Sequence, residues 1–241
     1  MEWHDHDWVE IPAGHALLGS DNSDPFASEN EKPPRHVYLT RFAISRYPTT
    51  KAQLAAFLLE SRNPHFAHAL SAIQLEGESR QHFPATNVSW DLARAYCRWV
   101  SDRLGRLVEL PSEAQWEKAA RGAEGLIWPW GNIFDQDKCC SAESGRNDFC
   151  SVFDLPQGAS PYGVMHMSGG VWEWCADFHH PGHAGSDLIN PVELSIGLRR
   201  VVKGGSAFCT KEIVRPACRD WTNSVNQGGS DDGMRVILHV S

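Results

Sequence analysis

Cysteine and histidine are the residues of this chain that could bind a metal or react with a substrate. The sequence has seven cysteines and twelve histidines. No two cysteines have the C-x-x-C spacing of a zinc knuckle, and an odd number cannot form a complete set of disulfides. In a reducing compartment such thiols stay free, and a free cysteine commonly packs as a small apolar residue. We therefore expect most of these cysteines to lie in the core.

Two groups of histidines lie beside carboxylates. One group is His179, His180 and His183, which follow Asp177, and the other is the His-Asp-His-Asp segment at 4–7. Imidazole and carboxylate together can bind a transition metal. Neighbouring side chains of an extended segment point apart, however, and metal sites usually take ligands from distant segments, so we expect solvated loop histidines. A metal-dependent redox enzyme that uses these residues is an alternative.

The acidic composition and the missing motifs exclude several classes of function. The formal net charge is −8, whereas binding to nucleic acid needs clustered lysine and arginine. No apolar run approaches the ~20 residues of a membrane span, and the start of the chain lacks the basic and apolar regions of a signal peptide. The G-x-S-x-G, phosphate-loop and H-E-x-x-H motifs are absent. We expect a cytoplasmic protein that binds neither nucleic acid nor membrane.

Short strands and three helices should position the reactive residues. Strands are predicted at 8–12, 36–40, 200–203 and 234–238, with a polar loop at 20–34. Capping boxes predict where two of the helices begin, because Ser or Thr is followed three residues later by Gln. These pairs are Thr50 with Gln53 and Ser112 with Gln115.

The longest predicted helix begins at Ser89 and ends at Gly105. Its apolar residues recur at helical spacing and predict one buried face. They are Ala93, Cys97, Val100 and Leu104. Cys97 is therefore interpreted as a core residue.

Tryptophan should supply much of the core, since ten tryptophans occur in 241 residues. Residues 122–200 show almost no periodicity, but they are rich in aromatic rings, which disordered segments lack. Large rings bury much area without needing regular structure around them. We expect an irregular but packed region within one domain at 1–241. Four tryptophans should be buried there: Trp128, Trp130, Trp172 and Trp174.

Short motifs along nearly the whole chain resemble those of one family, the formylglycine-generating enzyme or sulfatase-modifying factor domain. The matching stretches are EIPAG (10–14), LGS (18–20), EKPPRHV (31–37), FAISRYPTT (42–50), PATNVSW (84–90), LPSEAQWE (110–117), WGN (130–132), SPYGV (160–164), VWEW (171–174), KGGS (203–206) and GMR (233–235). The resemblance implies an α+β, C-type-lectin-like fold with short strands, two or three helices and a large coil fraction.

The resemblance also implies a copper site, which this chain matches only in part. In the enzymes of the family two cysteines five positions apart hold a copper ion that activates oxygen and oxidises a substrate cysteine to formylglycine. Cys209, preceded by Ser206, matches the first cysteine, but Val214 stands at the second position and Cys218 lies nine residues on. Valine cannot ligate a metal, and one thiolate leaves a Cu(I) site half built. We therefore expect a protein that is not an enzyme.

Calcium is the second ion that the resemblance implies. Carried over by position, the carbonyls of Gly169 and Val171 and the side chain of Glu173 would bind it, which suits a hard cation. His166 stands where the family usually has asparagine or aspartate, and Cys140 stands where an asparagine usually opens a second calcium position. The alternative is that Glu173 accepts hydrogen bonds from nearby backbone groups.

The sequence thus favours a non-catalytic, lectin-like module that binds a protein or small molecule through residues 206–232. Polar side chains with an aromatic anchor resemble a paratope on a rigid frame. The candidate ligand-binding residues are Phe208, Thr210, Asp220, Trp221, Asn223 and Asn226. Some members of the family are variable proteins of diversity-generating retroelements, and this chain is a candidate for that role. A copper-dependent oxidase with Cys209 and Ser206 as catalytic residues is the alternative, and a different metal-dependent redox enzyme is the second.

Overall fold

The computed structural model describes residues 5–180, 188–194, 197, 199–221 and 228–240, without the side chain of Trp221. The helices are α1 (Lys51–Ser61), α2 (Ala67–Glu76), α3 (Trp90–Leu104) and α4 (Glu113–Arg121). The strands are β1 (Trp8–Ile11), β2 (Gly14–Leu18), β3 (Arg35–Leu39), β4 (Phe42–Ser45), β5 (Val108–Glu109), β6 (Trp172–Phe178), β7 (Arg200–Lys203), β8 (Asp220–Trp221), β9 (Asp232–Gly233) and β10 (Ile237–His239). Mixed helices and short strands confirm the predicted α+β class.

The strands form two four-stranded sheets and one hairpin. The first sheet has the order β1-β4-β10-β5 and is antiparallel, so strands from the beginning and the end of the described chain are neighbours. The second has the order β8-β7-β6-β9, in which only the β6–β9 pair is parallel. β2 and β3 pair with each other as the hairpin. None of the helices in the described residues is long and apolar enough to cross a membrane.

The three predicted helices are confirmed because each carries its own start signal. The side chains of Thr50, Ser89 and Ser112 accept hydrogen bonds from the first turns of α1, α3 and α4, and the two capping boxes form as expected. Gly105 ends α3 in the left-handed conformation. On the predicted face of α3, Ala93, Cys97 and Val100 are buried, whereas Leu104 is half-buried.

Several elements differ from the sequence prediction for physical reasons. α2 was not predicted, because it begins after Phe66 without a polar cap and buries only one residue of its own. β6 was not predicted because it is buried on both faces and so shows no alternation. β2, which precedes the predicted polar loop, was not predicted either, and it pairs with β3. The last strand begins at Ile237 rather than 234, and the preceding carbonyls of Met234 and Val236 accept hydrogen bonds from the N–H groups of Thr49 and Ser45.

Aromatic rings occupy the centre of the core, as predicted. Trp128, Trp172 and Trp174 are buried, and Trp116 of α4 is buried as well. The prediction is wrong for Trp130, which is half-buried because its indole N–H donates to the Ile133 carbonyl near the surface. Cys97 lies in the core, and burial raises the pKa of its thiol to about 12.

The fourth helix buries charged side chains as well as apolar ones. Glu117 is 1% exposed and accepts from Lys203 Nζ at 2.9 Å, from Arg121 Nη1 at 2.5 Å and from the Gly19 N–H at 2.7 Å. Glu113 accepts from the Arg219 guanidinium at 2.6 and 3.0 Å. A buried charge costs several kcal/mol unless it is paired, so removing one partner of these contacts should destabilise the fold.

The Glu117→Gln substitution tests this network. It keeps the side-chain volume but leaves Lys203 and Arg121 short of one buried negative charge, so we expect a loss of about 3–5 kcal/mol in the free energy of unfolding. Urea unfolding gives the value, and Glu124→Gln, at an exposed position after the same helix, is the matched control. A loss no larger than that of the control would show that the network contributes little.

Candidate functional site

A glycine pair turns the chain out of β7 and into the predicted site. Gly204 and Gly205 have φ values of 96° and 71°, in the left-handed region that favours glycine. A Cβ on Gly205 would lie 2.8 Å from Val214 Cγ1, so the turn packs directly on that valine. Val214 is fully buried, and its carbonyl accepts from the Ser168 hydroxyl at 2.7 Å. Val214 is therefore part of the framework beneath the turn.

Cys209 lies at the surface end of this turn. Its Sγ is 3.4 Å from the Ser206 hydroxyl oxygen, and its carbonyl accepts from the Ala142 N–H at 2.9 Å. All seven cysteines are free thiols, and Cys209 is half-buried while the other six are buried. Phe208 beside it is 55% exposed, and its ring packs edge-on against Phe149 with the centroids 5.3 Å apart. Cys209 is thus the thiol most accessible to a reagent or ligand.

The described residues do not fit a copper site built from two thiolates. The second family position holds Val214, which is fully buried. Cys218 lies in an apolar core cluster against which Cys209 also packs, and burial raises the pKa of its thiol to about 12. Binding of a metal by Cys218 would require loss of this proton, which burial makes costly.

Glu173 is surrounded by side-chain donors rather than by the backbone groups that the sequence suggested. Its Oε2 accepts from Trp116 Nε1 at 2.6 Å and from Arg235 Nε at 2.5 Å, and its Oε1 accepts from Arg235 Nη2 at 2.9 Å. A dication bound to this carboxylate would lie next to the Arg235 guanidinium and be repelled by it. Calcium binding by Gly169, Val171 and Glu173 stays a prediction that these contacts do not support.

Three of the predicted ligand-binding residues are exposed at the surface of the structure: Phe208, Thr210 and Asp220. Trp221 belongs to β8, and its backbone pairs with Val201 of β7. The remaining candidates, Asn223, Asn226 and the Trp221 side chain, lie outside the described residues. Of the described candidates, Asp220 thus lies on the edge strand of a sheet, whereas Phe208 and Thr210 lie in the segment that follows the glycine turn.

A buried arginine that sequence reasoning missed holds the middle of the same segment. Arg215 is 2% exposed, and its guanidinium donates to Asp24 at 2.6 Å and to both oxygens of Glu31 at 2.8 and 2.9 Å. One feature of the sequence could have predicted this contact. Arg215 lies in a mostly apolar stretch, Val-Arg-Pro-Ala at 214–217, and an arginine that is buried there needs a partner. This contact ties the candidate site to the loop between β2 and β3.

The predicted histidine group does not assemble into a metal site in the described residues. His179 is half-buried, and burial together with Arg219 lowers its pKa to about 4. His180 is exposed, and its carbonyl accepts from Arg219 Nη1 at 3.3 Å. His183 lies outside the described residues. Within the described ranges no group of three or more His, Cys, Asp or Glu side chains could hold a metal ion.

Asp177 joins α4 to the segment at 188–194. Its two carboxylate oxygens accept from the N–H groups of Glu113 at 2.7 Å and Glu193 at 2.8 Å. Burial, reinforced by the Glu113 carboxylate, raises the pKa of Asp177 to about 7. The carboxyl group consequently changes charge near neutral pH.

Comparison with known proteins confirms the resemblance found in the sequence. The model of the sulfatase-modifying factor enzyme 1-like domain matches residues 3–240. The formylglycine-generating enzyme of Thermomonospora curvata is 29% identical over 255 residues, covering 83% of this chain and 82% of that enzyme.

Two solved structures share the fold. The structure of PvdO from Pseudomonas aeruginosa is similar with a TM-score of 0.82 at 24% identity, covering 97% of this chain and 94% of PvdO. Treponema denticola variable protein 1 is similar with a TM-score of 0.79 at 21% identity, covering 97% of this chain and 95% of its own. These likenesses confirm the C-type-lectin-like fold.

Thiol labelling of the native protein tests the accessibility of Cys209. We expect a bulky maleimide to modify one thiol rapidly, because the other six are buried and their reaction needs local opening. Cys209→Ala should remove the rapid phase and Cys218→Ala should leave it unchanged, as followed by intact-mass spectrometry. A second thiol that reacts as fast would contradict this arrangement.

Asp177 should make the stability of the protein depend on pH. Its folded pKa of about 7 lies above the ordinary value of 3.8, so between these values the native state binds more protons than the unfolded state. The contribution of Asp177 to the free energy of unfolding therefore falls as pH rises through this window and is constant above it. Asp177→Asn should flatten that part of the profile in urea unfolding, whereas Asp102→Asn, on the exposed side of α3, should not. Parallel profiles for wild type and Asp177→Asn would show that the group does not titrate there.

Proposed function

Because the chain belongs to the sulfatase-modifying factor enzyme 1-like domain family, its function depends on which parts of that family's site it keeps, and we propose that it is a non-catalytic binding module. Its ligand is a protein or a small molecule, bound at the surface formed by residues 206–232. The observation that carries the proposal is Val214, a fully buried framework residue where the family's second thiolate belongs.

The exposed side chains of this segment support a recognition role. Phe208, Thr210 and Asp220 offer an apolar ring, a hydroxyl and a carboxylate to solvent, and such mixed surfaces suit adaptable binding. The backbone beneath them is held by buried ion pairs, as at Arg215 and Arg219. Loop residues on a rigid frame can change without loss of the fold.

A variable protein of a diversity-generating retroelement is the more specific form of this proposal. Its support is the fold, since a protein described as a variable protein from Treponema denticola has a similar one. The net charge of −8 favours a ligand other than nucleic acid or a membrane surface, and seven free thiols suit the reducing cytoplasm.

A copper-dependent oxidase that converts a peptide cysteine to formylglycine is the second candidate. The half-buried Cys209 thiol, 3.4 Å from the Ser206 hydroxyl, favours it. Copper would supply oxygen activation when bound, but Val214 offers no second thiolate, and burial disfavours the thiolate form of Cys218. A different metal enzyme using His179, His180 or His183 has no supporting cluster in the described residues.

Two measurements on the purified protein test the proposal. The first adds Cu(I) and a peptide with one cysteine and looks for an aldehyde product by mass spectrometry. We expect none, and an aldehyde that disappears in Cys209→Ala would establish the oxidase instead.

The second measurement screens a glycan array and a random-peptide library for ligands. Ligands should be lost in Phe208→Ala and Asp220→Ala but kept in Leu75→Ala, which alters an exposed apolar residue of α2. All three variants should unfold at the wild-type temperature, because the residues are exposed. Ligands that bind all three variants equally would place recognition elsewhere on the molecule.

A further inference from the structure

A cavity of about 430 Å³ lies beside the beginning of α1, within the ordinary size range of small-molecule pockets. Its lining residues with polar groups or aromatic rings include Asp5, His6, Tyr47, Gln53, His82 and Phe153. None of its lining residues belongs to the 206–232 surface or to the cysteines discussed above. The proposed function therefore leaves this cavity unexplained.

The floor of the cavity is polar but uncharged. His6 is 6% exposed, and burial, with a smaller effect of Arg235, lowers its pKa to about 3. Its Nδ1 accepts from the Gln53 amide nitrogen at 3.4 Å, so Nε2 carries the hydrogen and donates to the Tyr96 hydroxyl at 3.0 Å. Both ring nitrogens are thus engaged inside the protein, and the imidazole adds no positive charge to the cavity.

Aromatic rings form one wall. Phe153 is 54% exposed, and its ring centroid lies 5.1 Å from that of Tyr47 at an interplanar angle of 85°. The His82 ring lies 5.2 Å from Phe153 on the same cavity. The faces of aromatic rings are electron-rich and attract cations.

The charge at the rim is negative. Asp5 and Asp7 line the cavity, and none of its described lining residues is a lysine or an arginine. Asp7 is paired with Arg46 at 2.6 Å, so its charge is compensated from outside. Asp5 is exposed and accepts the His6 N–H at 2.7 Å. One carboxylate therefore remains to balance a positive charge brought by a ligand.

We propose that this cavity binds a small organic cation, an ammonium group carried on an aromatic or short apolar body. The ammonium group lies between the Asp5 carboxylate and the ring faces of Tyr47 and Phe153, and the apolar body lies against Phe153 and Val152. An anionic ligand is disfavoured by the Asp5 carboxylate, whose charge no ion pair in the described residues compensates. A neutral aromatic ligand would gain the apolar contact but neither of the electrostatic ones.

Binding of matched probes tests the proposal. 2-Phenylethylammonium, neutral 2-phenylethanol and anionic phenylacetate differ mainly in charge, and their affinities can be measured by ligand-observed NMR titration of the full chain at neutral pH and low salt. We expect the order ammonium, alcohol, carboxylate, with the ammonium binding weakened by added salt. Equal affinity for the ammonium and the alcohol, or no binding of the ammonium, would overturn the proposal.

Variants separate the two contacts. Asp5→Asn removes the charge, and Phe153→Leu keeps an apolar side chain while removing the ring, so each should weaken ammonium binding by about two- to fivefold. Neither should change 2-phenylethanol binding as much, and both residues are exposed, so the thermal unfolding temperature should not move. Phe208→Ala serves as the control at the other surface and should leave ammonium binding unchanged. Unchanged affinity in both Asp5→Asn and Phe153→Leu would show that the cation binds elsewhere. These results are independent of the function proposed for residues 206–232.

Discussion

The buried carboxylates of α4 fix the position of nearly everything that surrounds the candidate site. Glu113 and Glu117 both contact Lys203, at 3.4 and 2.9 Å, and Glu113 also binds Arg219 at 2.6 Å. Lys203 ends β7 just before the glycine turn, and Arg219 immediately precedes β8. The segment between them therefore begins and ends at a cation that pairs with a carboxylate of α4. These pairs hold its two ends, so its exposed side chains can vary without breaking them.

In these ion pairs the attraction between opposite charges offsets the effect of burial on the pKa of each group. Burial by itself lowers the pKa of Lys203, but Glu117 and Glu113 raise it above its ordinary value. The same balance holds for Arg219, where burial is opposed by Glu113. Each buried ion depends on its partner. Removing one member leaves an unpaired buried charge, and this costs more free energy than replacing the whole pair by apolar side chains.

The local features of the fold could be predicted from sequence, and the long-range ones could not. The three capped helices were predicted because Thr50, Ser89 and Ser112 signal their starts within four residues. The ion pairs join residues about a hundred positions apart, as Glu113 and Arg219 do, and no local pattern encodes such a distance. The surface position of Phe208, Thr210 and Asp220 followed from composition, whereas the buried anchor Arg215 resembled an ordinary polar residue in the sequence.

The framework of the fold and the candidate site use different residues. The residues that stabilise it are buried pairs such as Glu173 with Arg235, whereas the Cys209 side chain contacts one hydroxyl and belongs to no ion pair among the described residues. Position 214 lies under the left-handed turn at Gly205, where a branched apolar side chain fills the space that the glycine leaves. Val214 is fully buried there, and its carbonyl accepts from the Ser168 hydroxyl. Folding and catalysis thus rest on different residues, so membership of the family determines the architecture and leaves the activity to the residues of the site.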